Sequence, residues 1–219
     1  MLVGVVSDLH ANLPALEAVL DDLPEVDAVC CAGDVVGYNP WPAECVDAMR
    51  ERDVPTVVGN HDRMVVTGGN FYGNGMASAG VTYARNRLDD VQLAWLSGLP
   101  TECLLFDGRV KVVHGHPGDP DRYTYPHSFG PELLDDAPVL VMGHTHVQAH
   151  ETYDEGIVMN PGSVGQPRDG DPRAAYSLLD LDRMTVDERR VAYDVERVRE
   201  GIREAGLPER TGARLIEGR

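Results

Sequence analysis

Six short apolar runs, none longer than five residues, punctuate the chain: LVGVV (2–6), AVCCA (28–32), VPTVV (54–58), VKVV (110–113), VLVM (139–142) and IVM (157–159). They do not alternate apolar with polar residues, as a strand with one wet face would. Near-continuous runs of this length predict strands buried on both faces, in sheets covered by helices. Helical periods fall between them. Leu13, Leu16, Leu20 and Leu23 keep a helical spacing behind Asn12, a capping residue, with Pro14 in the first turn. Met76, Gly80, Tyr83, Ala84 and Leu88 form a second stripe. AAYSLLDLD and RMTVDERRVAYDV have strand composition and lie close enough to pair as antiparallel neighbours, and a final helix is expected near 195–205. No repeat, low-complexity tract or linker interrupts the 219 residues, so we expect one domain over 1–219. One long irregular stretch, 117–131, carries Asp119, Arg122, Tyr123, Tyr125 and His127, and a loop of that length is often a lid over a site.

The apolar runs end in chemistry. SDLH gives Asp8 and His10, AGDVVG gives Asp34, VGNHD gives Asn60, His61 and Asp62, VHGHP gives His114, and GHTH gives His144 and His146. In open α/β sheets ligands gather beyond the carboxyl ends of strands, so these groups should converge despite their distance in sequence. Glycines at 4, 33, 59, 115 and 143 flank them and allow close backbone approach. Two carboxylates, an amide and four imidazoles exceed what one tetrahedral zinc needs, and mixed oxygen and nitrogen ligation suits divalent manganese, iron, cobalt, nickel or zinc. The count points to two ions. Asp34, the acid with no adjacent histidine, is the natural bridge between them.

In this order, D-x-H, G-D-x-x-G, G-N-H-D, H-G and G-H-T-H resemble the calcineurin-like metallophosphoesterase superfamily, over nearly the whole chain. SDLHANLPALEAVL, GDVVGYNPWP and NPGSVGQPRDGDPRA resemble its small prokaryotic phosphodiesterase branch. The resemblance implies a four-layer α/β/β/α sandwich with two mixed β-sheets between helices. It implies one metal held by Asp8, His10, Asp34 and His146, a second held by Asp34, Asn60, His114 and His144, and His61 facing the substrate. Manganese is the first choice of ion. Two cations roughly 3.5–4 Å apart lower the pKa of a bridging water toward about 7 and clamp the phosphoryl oxygens, so the nucleophile would be a metal-bridging hydroxide acting on a small phosphodiester, with monoesters or nucleotide-derived compounds as further substrates. His61 is the expected proton donor to the leaving oxygen, with Asp62 as its orienting partner.

Neighbouring residues carry plainer readings. His116 reads equally as a substrate group and as a solvent-facing loop residue, while His127 and His150 read as surface. Arg168 could clamp a phosphate, but QPRDGDPR is also good turn chemistry, and the turn is favoured. Ser7 and Ser163 have no histidine placed to activate them, so no serine nucleophile is expected. A metal-dependent amidohydrolase would open on His-x-His rather than Asp8 and His10. A non-catalytic protein-binding scaffold of the same fold is the alternative from another class.

Charge narrows the partners. A formal net charge of −17 repels a phosphate backbone, which excludes an extended nucleic-acid-binding face. Lys111 is the only lysine among 19 basic residues, a composition that resembles cytoplasmic proteins of salt-loving organisms. Cys30, Cys31, Cys45 and Cys103 show no C-x-x-C spacing and read as reduced core residues. With no leader-like or membrane-spanning segment, a cytoplasmic protein is expected, and a homo-oligomer is allowed.

Overall fold

The computed structural model describes residues 1–219. Strand β1 (Leu2–Val6) pairs in parallel with β2 (Ala28–Cys31) through Val3 to Ala28 and Val6 to Cys31, and helix α1 (Leu13–Asp22) connects them. Asn12 caps α1 as expected, its side-chain oxygen accepting from the Ala15 amide at 3.3 Å. Both faces of β1 are buried: Val3 and Val5 enter one apolar cluster and Val6 enters another. That is why LVGVV carries no alternation.

The expected strand at 54–58 is reduced to a single parallel bridge between Thr56 and Cys31. Pro55 has no N–H to donate to a ladder; its carbonyl still accepts from Cys31 N at 2.9 Å. Helices α2 (Pro42–Glu51), α3 (Asn60–Thr67), α4 (Gly75–Arg87) and α5 (Asp90–Ser97) surround this segment. The stripe from Met76 to Ala84 lies on α4.

The second sheet contains β3 (Glu102–Leu105), β4 (Val110–Val113), β5 (Val139–Val141), β6 (Ala149–Thr152) and β7 (Ile157–Asn160), in the order β3-β4-β5-β7-β6. Its three central strands are parallel and both edges are antiparallel. The chain then returns to the first sheet. β8 (Ala174–Asp180) lies antiparallel to β1, and β9 (Thr185–Val191) closes the edge, giving the order β2-β1-β8-β9. Helices α6 (Val195–Glu204) and α7 (Glu209–Glu217) end the fold.

Both sheets are mixed, and they face each other across a core containing Val3, Val5 and Leu179 from the first and Val112, Val141, Ile157 and Met159 from the second. The other face of the first sheet packs against α1 through α5, with Leu16, Val19, Val46, Val81 and Leu96 meeting Tyr176 and Leu178. On the outer face of the second sheet, Leu140, Met142 and Val158 are covered by Leu133 and Leu134. The fourth layer is thin there, built from one-turn 3₁₀ segments at Pro126–Ser128 and Pro131–Leu133. No helix is long and apolar enough to cross a membrane.

Candidate metal centre

The connections after β1, β2, β4 and β5 all leave the carboxyl ends of their strands on one side of the two sheets. They are bonded to each other as well as to their strands. Asp8 N donates to Gly33 O, His10 N to Asp34 O and Ala11 N to Val35 O, each at 2.9 Å, and Gly143 N donates to His114 O at 2.8 Å. This zipper carries the sequence-predicted residues into one buried cluster: Asp8, His10, Asp34, His114, His144 and His146 are each no more than 5% exposed.

Five of these ligand candidates hold left-handed backbone, with φ of 52° at Asp8, 47° at His10, 53° at Asp34, 67° at His144 and 60° at His146. An L-residue with a Cβ is strained there by roughly 1 kcal/mol or more, and such strain concentrates where function fixes a side chain. Gly59 meets the opposite demand. A Cβ at that position would lie 2.0 Å from Asp34 Oδ1, so only glycine lets the turn before α3 approach the carboxylate.

Hydrogen bonding fixes how the imidazoles face. His10 Nδ1 donates to Val36 O at 3.2 Å, His114 Nδ1 to Ala32 O at 2.7 Å and His146 Nδ1 to Gln166 O at 2.6 Å. Each bond places the ring proton on Nδ1 and leaves the Nε2 lone pair facing inward. His144 is turned the other way: its Nε2 donates to Asp121 O at 3.1 Å, which leaves Nδ1 as its free donor atom.

The inward lone pairs confront one another. His10 Nε2 and His146 Nε2 are 3.1 Å apart, His146 Nε2 is 3.2 Å from Asp8 Oδ1, and His114 Nε2 is 3.1 Å from Asn60 Oδ1. Asp34 Oδ2 lies 3.6 Å from His10 Nε2 and 3.4 Å from His114 Nε2, between the two groups. Asp8 Oδ1 is buried with no hydrogen-bond partner. Acceptors facing acceptors in a buried space repel unless positive charge stands among them, so these residues fit divalent cations. Asp8, His10 and His146 form one set of donor atoms, Asp34, His114 and His144 another, and His10, Asp34 and His61 a third that overlaps both.

The electrostatics agree. Burial opposes a charge on His114, yet the facing Asp34 carboxylate outweighs it and raises the imidazole to about 10, so that a proton on Nε2 competes with a cation for the same place. Burial raises Asp34, but His114 and His61 reverse this and hold it well below the carboxylate range. Burial likewise raises Asp8, and His146 draws it below that range. Burial and then His114 bring His144 down to about 4. The site stays anionic and attracts a cation.

His61 lies beside the cluster at 4% exposure, its ring centroid 4.7 Å from His10, 4.7 Å from Tyr38 and 4.5 Å from Phe71. The expected contact with Asp62 is not made. Asp62 Oδ1 accepts from Val36 N at 3.1 Å and Oδ2 from Gly59 N at 3.0 Å, while His61 Nδ1 has no partner. Asp62 thus pins the turn before α3 to the turn after Asp34. Burial and then Asp34 raise its carboxyl to about 7.

Ser7 and Ser163 both serve Asp8: Ser7 Oγ donates to Asp8 Oδ2 at 2.7 Å, and Ser163 Oγ donates to Asp8 O at 2.7 Å. His150 bonds Glu188 at 2.7 Å, and His127 is exposed. Arg168 departs from the favoured turn reading. It lines the cleft over the cluster with Tyr38, His61, Phe71, Asn74 and Tyr123, and its Nε is buried with no partner. Of these wall residues, the sequence marks His61 through GNHD and Tyr123 through the long loop, and leaves Tyr38, Phe71 and Asn74 unmarked.

Two mixed sheets with a buried carboxylate and imidazole cluster at their strand ends define a protein built around a metal-binding centre. Residues 1–184 match the model of the calcineurin-like phosphoesterase superfamily domain. A solved metallophosphoesterase from Sphaerobacter thermophilus superposes with a TM-score of 0.88 at 36% identity, covering 100% of this chain and 99% of that one. Phosphodiesterase YfcE of Escherichia coli K12 is 30% identical over 196 residues, 82% of this chain and 88% of its own. An uncharacterized protein of Methanocaldococcus jannaschii is 32% identical over 245 residues, 100% of this chain and 98% of its own. The chain belongs to the calcineurin-like phosphoesterase superfamily and is a metal-dependent phosphoesterase.

Proposed function

We propose that the protein hydrolyses small phosphodiesters with two divalent cations, one held by Asp8, His10, Asp34 and His146 and the other by Asp34, Asn60, His114 and His144. The observation that carries this reading is the position of Asp34 Oδ2, within 3.6 Å of an imidazole from each set. Mixed oxygen and nitrogen ligation admits manganese, iron, cobalt, nickel or zinc, with manganese the first choice from the family resemblance, and the diester preference follows the phosphodiesterase relative of Escherichia coli. When bound, such a pair of ions supplies a water nucleophile active near neutral pH and charge to neutralise the phosphoryl oxygens.

The chain's own groups do the rest. Asp34 spaces the two sites, and Asn60 brings a neutral amide beside the second. Arg168 brings the cleft a permanent cation for a phosphoryl oxygen. Tyr38 and Phe71 wall the cleft around His61 and keep bulk water from the reacting bond. His61 presents its ring to the leaving oxygen.

The test is metal analysis of the purified chain together with hydrolysis of bis(p-nitrophenyl) phosphate and p-nitrophenyl phosphate under a series of divalent ions. Two ions per chain and a manganese-supported preference for the diester are expected. A chain that retains no metal and cleaves neither ester would return the fold to a protein-binding scaffold.

We further propose a cytoplasmic, salt-adapted protein. At −17 the folded chain repels itself at low ionic strength, and molar salt screens that repulsion. Its melting temperature is expected to rise as potassium chloride goes from 0.1 M to about 2 M. A flat or falling curve would remove the salt adaptation.

A further inference from the structure

The wall of the cleft continues outward as a stack of rings that metal chemistry does not require. Tyr123 lies on His144 with centroids 4.0 Å apart and planes at 22°. Tyr125 follows at 6.0 Å and 14°, and His127 at 5.9 Å and 8°. The spacing comes from extended backbone: Tyr123 and Tyr125 are 49% and 40% exposed, while Thr124 between them is turned inward at 4%. Near-parallel rings in one row, stacked on each other yet open to solvent over part of their surface, leave contiguous aromatic exposure that marks a binding surface. Tyr72, on the segment beside Phe71 of the cleft wall, is also fully exposed.

The turn that leads into the row is held in place. His116 and Asp119 exchange backbone hydrogen bonds at 3.1 and 3.0 Å, Arg63 pairs with Asp121, and Asp121 O accepts from His144 Nε2. Rings that begin by stacking on a metal-ligand candidate lie beside the place of the reacting phosphate, where a second group of the same substrate molecule can reach them. Nucleobases are the flat groups most widely joined to phosphoesters, and they stack on aromatic side chains. The formal charge of −17 disfavours a polymer whose backbone extends beyond the cleft.

We propose that Tyr123 and Tyr125, beside Arg168 at the mouth of the metal cleft, form a stacking subsite for the base of a small nucleoside-bearing phosphoester. The proposal deepens the phosphodiesterase reading and rests on it for the placement of the phosphate. Stacking on an aromatic side chain tolerates any base, because every base has a π-face, so the subsite selects nucleosides as a class.

Binding and turnover test it separately. Calorimetry on the metal-loaded chain compares thymidine 5′-monophosphate with 2-deoxyribose 5-phosphate, which differ only in the base. In parallel, kcat/KM is compared for the p-nitrophenyl esters of thymidine 5′-phosphate and methyl phosphate, which share a leaving group. The nucleotide is expected to bind about tenfold tighter or better, and the nucleoside ester to be favoured by a similar factor. Tyr125→Ala should remove most of both preferences and Tyr125→Phe should keep them, since the ring and not the hydroxyl is required. Equal affinities, or a preference that survives both Tyr125→Ala and Tyr123→Leu, would overturn the subsite. Preferential nucleotide binding with neither ester hydrolysed under any divalent ion would leave the subsite standing and remove the phosphodiesterase. Hydrolysis of both esters at equal kcat/KM, with no affinity advantage for the nucleotide, would do the reverse.

Discussion

Asp34→Asn is expected to reduce phosphodiester hydrolysis by about a thousandfold or more and to lower the metal content from two ions per chain to one or none. The substitution keeps the shape of the side chain. Asp34 Oδ1 accepts the His61 backbone N–H at 2.8 Å, and only an oxygen can do so, which fixes the orientation of the new amide. Its NH₂ group must then occupy the position of Oδ2, facing His10 and His114. An amide nitrogen has no lone pair to give a cation, so the shared ligand is lost from both sets while the backbone contact that holds α3 is retained. Metal analysis by plasma mass spectrometry, with circular dichroism to establish folding, decides the matter. Two retained ions and activity within tenfold of the parent would mean that another group bridges.

The elements legible in the sequence are those whose burial is two-sided. β1, β2, β5 and β7 are covered on both faces and their apolar runs are correspondingly continuous, while in β4 only Lys111 interrupts the run, its ammonium reaching out to Glu102 and Asp135. The edge strands β3 and β6, ECLL and AHET, went unread because each is short and partly exposed, so side-chain pattern says little where pairing is decided by a neighbouring strand. VPTVV misled in the other direction. Its apolar content reflects burial of Val54 and Val57, but Pro55 stops it from entering a ladder. Helix α3 is masked by chemistry, because its first residues, Asn60, His61 and Asp62, carry site chemistry and no helical period. α7 begins directly after Pro208 and is short enough that its period was not distinguished from that of α6.

Legibility of the site divides along another line. The ligand candidates could be found because an acid or imidazole at the end of a buried strand needs a reason to be there. Nothing in a residue's identity reports the left-handed backbone at Asp8, His10, Asp34, His144 and His146, or the carbonyls of Ala32, Val36 and Gln166 that orient the rings. Asp62 shows the hazard of adjacency. One residue from His61 in sequence, it bonds backbone amides in two turns instead. For Arg168, the turn chemistry lies just beyond it, where Asp171 accepts from Arg173 N at 3.0 Å, while its own backbone N–H donates to the distant His146 O at 3.1 Å and its guanidinium lines the cleft.

His61→Ala is expected to cost about 10²–10⁴ in rate on an alkyl phosphodiester, with metal content nearly unchanged. The size of the effect depends on what the ring can give. Burial first, followed by the Arg168 cation, holds the imidazole down to about 4 against the pull of Asp34, so near neutral pH the ring carries a single N–H. That N–H can donate to a phosphoryl or leaving oxygen, and the proton itself can move only as negative charge develops on the departing group. An alkoxide, a strong base, draws such a proton strongly, whereas p-nitrophenolate leaves without one. The loss on p-nitrophenyl esters should therefore be clearly smaller, and whatever remains measures stabilisation of the transferring phosphoryl group. Equal losses on both esters would remove the proton-donor role and leave charge stabilisation alone. The donor atoms of His61, His10 and Asp34 also lie within 4.8 Å of one another, which makes direct ligation the competing assignment. Metal analysis of the same variant separates the two: departure of an ion with the imidazole would make His61 a ligand, and retention of both would keep it facing the substrate.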